Sequence, residues 1–198
     1  MAEVTAGMVK ELREKTDAPM MECKKALAEA DGNMARAEEI LRVKLGSKAA
    51  KVSSRVAAEG IVAIDVEASG KTGSIVEVNC ETDFVARTED FQQLGKYLAE
   101  HIAAADPIAI DKESIPQEKI DSERRIFTEQ VKAEGKPDHL IDKIVEGKVE
   151  AFYKDVALLH QAWVRDTAKT VGDLVKEVSA KTGENVKVRR FVRYQLGV

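Results

Sequence analysis

The sequence predicts an α+β protein, in which a helical N-terminal module precedes an antiparallel three-stranded sheet packed with helices. Residues 1–46 show only helical periodicity, whereas residues 60–81 change to the two-residue alternation of strands. Residues 185–196 alternate again, and they need the earlier strands as partners because a lone strand is not stable. Helices, a hairpin, more helices and a returning strand are typical of the α+β class.

Three short helices are expected at the N-terminus. Thr5 can cap a first helix to Lys15, and Pro19 can open a second that runs to about Ala30. Asn33 can cap a third, which Gly46 is expected to end. The following stretch is rich in Lys, Ala and Ser, which indicates a partly helical linker. The predicted domains are a helical module, a linker and an α+β core: residues 1–46, 47–58 and 59–198.

The first strand is predicted over residues 60–68, with Val62, Ile64 and Val66 on its buried face. Two glycines in the next five residues favour a hairpin. The return strand, residues 74–81, is predicted to bury three small or branched side chains: Val76, Val78 and Cys80.

Further helices are predicted by apolar stripes at spacings of three and four. A Thr170–Asp173 capping box is expected to open the last of them, and Gly183 to close it. Trp163, in the connection before it, is predicted to be a packing anchor. The other three helices are expected over Asp90–Ala105, Gln117–Glu134 and Pro137–Leu159, and the third is expected to bury Leu140, Ile144, Phe152, Val156 and Leu159.

Composition narrows the class of protein. An apolar content of 44% with 33% charged residues is typical of a globular chain. No apolar run approaches the ~20 residues of a membrane span, and the N-terminus lacks the features of a signal peptide, so a cytoplasmic protein is expected. Cys23 and Cys80 are then expected to be free thiols. No metal-ligand spacing, nucleotide loop or nucleophile motif occurs, which predicts no metal, no cofactor and no enzyme activity.

Charge is unevenly distributed along the chain. Residues 56–110 carry 3 basic and 10 acidic side chains, whereas residues 163–198 carry 8 basic and 4 acidic ones. The basic tail leaves open an alternative function as a ribosome- or RNA-associated binding module. The acidic net charge favours the other interpretation, in which the tail is the solvated face of an edge strand, where positive charge discourages aggregation. Four cations define this tail, one of which interrupts an apolar face: Lys187, Arg189, Arg190 and Arg193.

The strand-to-helix corner that contains Phe84 is the most distinctive stretch. It places a large aromatic beside Asp83, where turn chemistry indicates exposure. Two interpretations follow from the residues alone. Phe84 and Val85 can fold back as a hydrophobic staple on the next helix, with Asp83 as a local cap. Alternatively, the corner presents Phe84 to another protein.

Several motifs carry a resemblance to a known family. Asn79–Arg87 (NCETDFVAR) resembles the signature of elongation factor Ts. Val9–Arg13 (VKELR) and Met20–Leu27 (MMECKKAL) resemble that family's ubiquitin-associated-like (UBA-like) three-helix module. Ala57–Gly60 (AAEG) and Thr170–Leu174 (TVGDL) fit as well, so that the resemblance covers most of the chain.

The resemblance implies a guanine-nucleotide exchange factor for elongation factor Tu, active in translation elongation. It implies that the corner disturbs the Mg²⁺ and phosphate site of that GTPase, which promotes GDP release. The residues so implied are Thr82, Asp83, Phe84 and Val85. The resemblance also suggests a second contact from the N-terminal module. Three residues are the candidates for it, with the core of the bundle as their alternative role: Val9, Leu12 and Met20.

The chain departs from the longer members of this family. Thr16-Asp17-Ala18-Pro19 stands where members often have Thr-Gly-Ala-Gly. Only one hairpin-and-helix core is present, with the segment from Leu94 to Val145 in place of a second core and a coiled-coil excursion. The chain therefore resembles the short form, for which the resemblance implies a homodimer formed through residues 59–198, with no membrane and no direct nucleic-acid partner.

Overall fold

The computed structural model describes residues 4–16 and 18–197, apart from the side chains of residues 45–51. Within these residues the chain forms eight α-helices and five β-strands, which is the predicted α+β class. The helices are α1 (Ala6–Thr16), α2 (Met20–Glu29), α3 (Met34–Val52), α4 (Asp83–Ala86), α5 (Glu89–Ala105), α6 (Gln117–Ala133), α7 (Asp138–Val156) and α8 (Val171–Thr182). The strands are β1 (Glu59–Val66), β2 (Thr72–Cys80), β3 (Ala162–Trp163), β4 (Asp166–Thr170) and β5 (Lys187–Gln195).

Helices α1, α2 and α3 form the predicted N-terminal bundle. Thr5 caps α1, since its Oγ1 accepts the amide of Met8 at 3.3 Å. Asn33 caps α3 in the same way, with its Oδ1 3.0 Å from the amide of Arg36. The three helices share one apolar core: Val9, Leu12, Ala18, Cys23, Ala26, Leu27, Ala30, Ala37 and Leu41.

Helix α3 does not end at Gly46. It continues to Val52, so the prediction of a helix stop at Gly46 is wrong. A glycine inside a helix costs about 1 kcal/mol relative to alanine. The alanines and lysines that follow it are strong helix formers, and they offset that cost.

The three-stranded sheet has the order β1-β2-β5, so that β2 lies in the centre. The side chains of β2 that were predicted to be buried, Val76, Val78 and Cys80, are buried, and so are Ser74 and Asn79. The prediction for β1 is wrong, because its apolar side chains face solvent. Val62, Ile64 and Val66 are 67%, 68% and 65% exposed. Alternation separates two faces of a strand, but it does not decide which face the helices cover.

The uncovered face of the sheet is largely apolar. Glu77 and Arg190 form an ion pair on it, with Arg190 Nε 2.7 Å from Glu77 Oε2. This pairing explains why a cation interrupts the apolar alternation of β5. We call this surface the outer apolar face; its exposed members are Val62, Ile64, Val66, Ile75, Val192 and Tyr194.

Helices α6 and α7 form an antiparallel pair with a core of its own. The predicted stripe of α7 is displaced by about one position, since Ile141, Val145 and Val149 are the buried residues. Leu140 is exposed, which corrects its prediction as a core residue. Those three buried positions are four residues apart and lie on one helix face. The remaining predicted members are half-buried: Ile144, Phe152, Val156 and Leu159.

Strands β3 and β4 form a two-stranded antiparallel ribbon that the sequence did not reveal. Trp163 lies in this ribbon, and its ring centroid is 5.1 Å from that of Tyr97 on α5, in agreement with its predicted packing role. The ribbon leads into α8 through the predicted capping box. Thr170 and Asp173 exchange two hydrogen bonds of 3.1 Å between their side chains and backbone amides.

The chain divides into two compact units by its internal contacts. The first contains the chain up to Ile61, together with Asn79–Gln92 and Val175–Lys187. The second contains Val62–Val78, Gln93–Leu174 and the chain from Val188 onward. Among the described residues, none of the helices combines the length and apolar content that a membrane crossing requires.

Candidate functional site

The candidate site is the corner between β2 and α5, where α4 forms a single helical turn. Thr82 caps this turn, because its Oγ1 accepts the amide of Val85 at 3.4 Å. Thr88 ends it and begins α5: its Oγ1 donates to the carbonyl of Val85 at 2.7 Å and accepts the amide of Phe91 at 3.4 Å. Hydroxyl caps on both sides therefore fix the turn between two regular elements.

Phe84 projects from this turn into solvent. The chain has five phenylalanines, all in its described part, and Phe84 is the exposed one, at 81%. A hydrophobic staple would bury the ring of Phe84 against α5, so its exposure excludes the staple interpretation. The residue that caps α4 is Thr82 and not Asp83. An exposed aromatic on a fixed turn is the type of side chain that anchors protein interfaces.

The residues beside Phe84 differ in exposure. The Asp83 carboxylate forms an ion pair with Arg87, with Oδ2 and Nη2 2.9 Å apart. Both side chains are largely exposed, so the pair contributes little to stability. Val85 is half-buried beneath the turn. The four predicted corner residues thus lie together, with Phe84 outermost.

Two carboxylates join the corner to the turn between α8 and β5. Glu184 Oε2 accepts the amides of Glu81 and Thr82, at 3.0 and 3.1 Å. Its Oε1 accepts the hydroxyl of Thr82 at 2.6 Å. In return, Glu81 Oε1 accepts the amide of Asn185 at 2.6 Å. We call this reciprocal arrangement the carboxylate clamp, formed by Glu81, Thr82, Glu184 and Asn185.

The clamp is continued by the segment that follows α3. Arg55 Nη1 lies 3.5 Å from Glu81 Oε1 and donates to the carbonyl of Gly183 at 3.3 Å. The Asn185 amide group donates to the carbonyls of Ser53 and Arg55, at 3.1 and 2.7 Å. Three chain segments, distant in sequence, therefore meet behind the corner.

Cys80 is the nearest thiol to the corner, and it is not placed for nucleophilic chemistry. Its side chain is fully buried and donates to the carbonyl of Thr82 at 3.2 Å. Burial, with a smaller contribution from the charge of Glu184, raises the pKa of the Cys80 thiol to about 11. The thiol is therefore protonated at neutral pH, whereas nucleophilic attack requires the thiolate.

The three residues suggested in the N-terminal module differ in accessibility. Val9 and Leu12 are 8% and 0% exposed and belong to the core of the bundle. They could reach another protein only if the bundle opened. Met20, at the start of α2, is 56% exposed, and Met21 beside it is 62% exposed. The apolar surface that this bundle offers in this region is therefore formed by its methionines.

The basic tail is partly engaged within the chain. Arg190 pairs with Glu77 on the outer apolar face. Arg193 donates to the carbonyl of Ala103 at 3.0 Å and lies 3.2 Å from Asp106. Two of the four cations of the tail therefore neutralise or cap groups of their own protein.

The comparisons with known proteins agree with the corner motif. A model of the family described as elongation factor TS matches residues 3–198. The chain belongs to the elongation factor Ts family. Elongation factor Ts of Myxococcus xanthus is 55% identical over 197 residues, covering 100% of this chain and 90% of that protein. Elongation factor Ts of Oleidesulfovibrio alaskensis is 50% identical over 197 residues, covering 100% of each chain.

A third relative, elongation factor Ts of Desulforamulus reducens, is 51% identical over 197 residues, covering 100% of this chain and 91% of that protein. Membership of the elongation factor Ts family gives the chain a role as a translation elongation factor. The α+β fold is consistent with that family.

The sequence pointed to the exposed residues of this elongation factor Ts corner, but not to Glu184 and Asn185, which hold it in place. Glu184 and Asn185 lie more than 100 positions after the residues they bind. No periodicity links such positions. The available signal was local: a charged and an amide side chain directly after Gly183, where a helix ends and its backbone groups need partners.

Proposed function

We propose that this chain is a guanine-nucleotide exchange factor for elongation factor Tu in the cytoplasm, where it promotes GDP release during translation elongation. The observation that carries this proposal is the exposed Phe84 on a turn fixed by two caps. Asp83 and Phe84 occupy the positions of the family's Asp-Phe pair, which is thought to enter between helices of the GTPase and disturb the surroundings of its Mg²⁺.

The mechanism follows from how a GTPase holds GDP. Phosphate contacts and a Mg²⁺ ion that neutralises phosphate charge retain the nucleotide. Insertion of Phe84 between helices of the GTPase buries its ring only if those helices move. The favourable burial of the ring then opposes the contacts that hold the ion. Asp83 adds a negative charge near that site, which competes for the polar groups around Mg²⁺.

Exchange of this kind is a coupling of free energies between two ligands of one GTPase. The factor weakens the binding of nucleotide, and the nucleotide weakens the binding of the factor by the same ratio. A coupling free energy of ~3 kcal/mol corresponds to a change of roughly 150-fold in the affinity of the GTPase for each ligand. No covalent step is required of the factor, which therefore acts as a binding protein and not as an enzyme.

A homodimer is the second part of this proposal, and the outer apolar face is its interface. Six large side chains are exposed there on adjoining strands, and contiguous apolar patches of this kind mark interaction sites on soluble proteins. A second copy is the partner that fits best, because a two-fold axis brings the same apolar patch of each copy into contact. Each copy would then present its own Phe84.

The N-terminal bundle is proposed as a UBA-like module that makes a further contact with the GTPase. Met20 and Met21 support this role, because flexible, exposed methionines are common in protein-binding surfaces. The intrachain contacts of Arg190 and Arg193 weigh against the alternative of an RNA-binding tail.

The proposal is tested by the release of a fluorescent GDP analogue from purified elongation factor Tu. Substoichiometric amounts of this protein should accelerate release, because each molecule acts on many GTPase molecules in turn. Unchanged release across a range of factor concentrations would refute the proposed function. Binding to RNA with a steep dependence on salt concentration would instead support the alternative.

A further inference from the structure

The carboxylate clamp arranges four hydrogen-bond donors around two acidic side chains. Glu184 receives two backbone amides and one hydroxyl from the corner, and Glu81 receives the backbone amide of Asn185. Hydrogen bonds to an ionised acceptor are about twice as strong as neutral ones. The corner is therefore held to the α8–β5 turn by contacts that do not involve Phe84 itself.

The hydroxyl of Thr82 connects the clamp to the Phe84 turn. It donates to Glu184 Oε1 at 2.6 Å while its oxygen accepts the amide of Val85 at 3.4 Å. The second of these contacts is the N-cap of α4. Glu184 thus fixes the rotamer of the capping side chain, and the cap in turn fixes the first turn of the helix that carries Phe84.

We infer that Glu184 is a positioning residue for the GTPase contact, acting through Thr82 to keep the Phe84 turn in its binding-competent conformation before the partner arrives. The inference rests on the proposed function. If only a fraction of molecules has the competent conformation, the apparent affinity falls by that fraction. Removal of the clamp should therefore weaken encounter with the GTPase more than it alters the step that follows.

The test measures nucleotide exchange as a function of the concentration of GDP-loaded elongation factor Tu, so that KM and kcat are obtained separately. Glu184→Ala should raise KM roughly tenfold and leave kcat within about twofold, since it removes contacts that hold the corner but leaves the ring of Phe84 in place. A merely structural role would inactivate part of the preparation irreversibly, which lowers the apparent kcat per total protein and leaves KM unchanged. Glu150→Ala, at an exposed position of α7, is the matched control for loss of a carboxylate.

A double-mutant comparison asks whether Glu184 acts through Phe84. In a Phe84→Ala background, Glu184→Ala should change kcat/KM by less than about twofold, because the turn then carries no ring to position. An equal effect of Glu184→Ala in both backgrounds would overturn the inference, as would an unchanged KM for Glu184→Ala alone. Glu184→Gln retains one carbonyl oxygen as an acceptor, so its KM should lie between those of wild type and Glu184→Ala. It replaces Glu184→Ala in both tests if the alanine variant fails to fold.

Amide hydrogen exchange tests the clamp without the GTPase. Glu184→Ala should accelerate exchange at the amides of Glu81 and Thr82, while Asn185 stays protected by Glu81. Unchanged protection at Glu81 and Thr82 would overturn the clamp. If the wild-type protein fails to accelerate GDP release but these amides behave as expected, the proposed function fails and the clamp stands.

Discussion

Replacement of Phe84 by alanine should impair nucleotide exchange and leave the fold intact. The ring is 81% exposed, so the substitution removes almost no packing from the free protein. Surface changes of this kind alter the free energy of unfolding by no more than about 0.5 kcal/mol. Thermal unfolding of Phe84→Ala should therefore occur within about 2 °C of wild type.

The expected loss follows from the area that the ring can bury on the GTPase. Full burial of a phenylalanine side chain contributes about 2–3 kcal/mol. Because 81% of Phe84 is exposed in the free protein, nearly all of that area is available to the partner. The interaction is then worth about 2 kcal/mol, which corresponds to a decrease of roughly 30-fold in kcat/KM for exchange.

The assay is release of a fluorescent GDP analogue from elongation factor Tu, with each variant first checked by circular dichroism and thermal unfolding. Val56→Ala is the matched control, since Val56 is 83% exposed but lies outside the corner. It should leave exchange unchanged. Phe84→Leu retains an apolar side chain and should recover part of the activity. A folded Phe84→Ala protein with wild-type kcat/KM would refute the role of the ring.

Three other perturbations address the rest of the molecule. Ile64→Lys, on the outer apolar face, should convert a dimer to a folded monomer in light scattering, because it places a charge where a second copy would pack. Gly172→Ala should lower the free energy of unfolding by roughly 1–3 kcal/mol, since its added Cβ would lie 2.7 Å from the carbonyl oxygen of Leu159. Burial lowers the pKa of His101, so stability should fall as pH drops from about 7 to about 5, and His101→Gln should reduce that fall.

Each of these has a matched control within the chain. Ile108→Lys changes an exposed isoleucine outside the face and should not affect the mass in solution. Gly147→Ala lies in α7 with open space around the new methyl group, so it should stabilise the protein. His139→Gln removes an exposed histidine and serves as the control for loss of an imidazole side chain. A dimeric Ile64→Lys, a Gly172→Ala as stable as wild type, or an acid response independent of His101 would contradict the corresponding prediction.

The sign of the His101 effect follows from its contacts. Nδ1 accepts the amide of Val164 at 3.3 Å, so the neutral ring carries its proton on Nε2, which lies 2.9 Å from Gln161 Oε1. Protonation of Nδ1 would remove an acceptor and bury a charge. The unfolded chain binds this proton at a higher pH than the folded protein does, and acidification therefore favours unfolding.

Features of the fold that depend on near neighbours in sequence could be predicted. Thr5, Asn33 and the Thr170–Asp173 pair are caps whose partners lie three positions away, and all form as expected. The predicted helix end at Gly46 is wrong although it too rests on a local signal. A helix tolerates one glycine when the residues that follow favour the helix.

Features that depend on the surroundings could not be predicted. The alternation at Ile64 identified a strand, but only the placement of helices decides that its apolar side faces solvent. The exposure of Phe84 was left open by the residues for the same reason. Its support was beyond prediction, since Glu184 approaches the corner only after the whole intervening chain has folded.

This order of assembly has a consequence during synthesis. The amide of Glu81 and the carboxylate that binds it are 103 positions apart, so the ribosome completes the corner sequence well before it makes Glu184. At about 5–20 residues per second, the interval is on the order of 5–20 s. A nascent chain therefore carries Phe84 on an unanchored turn throughout this time, and we expect it to engage its GTPase poorly until the α8–β5 turn has emerged and docked.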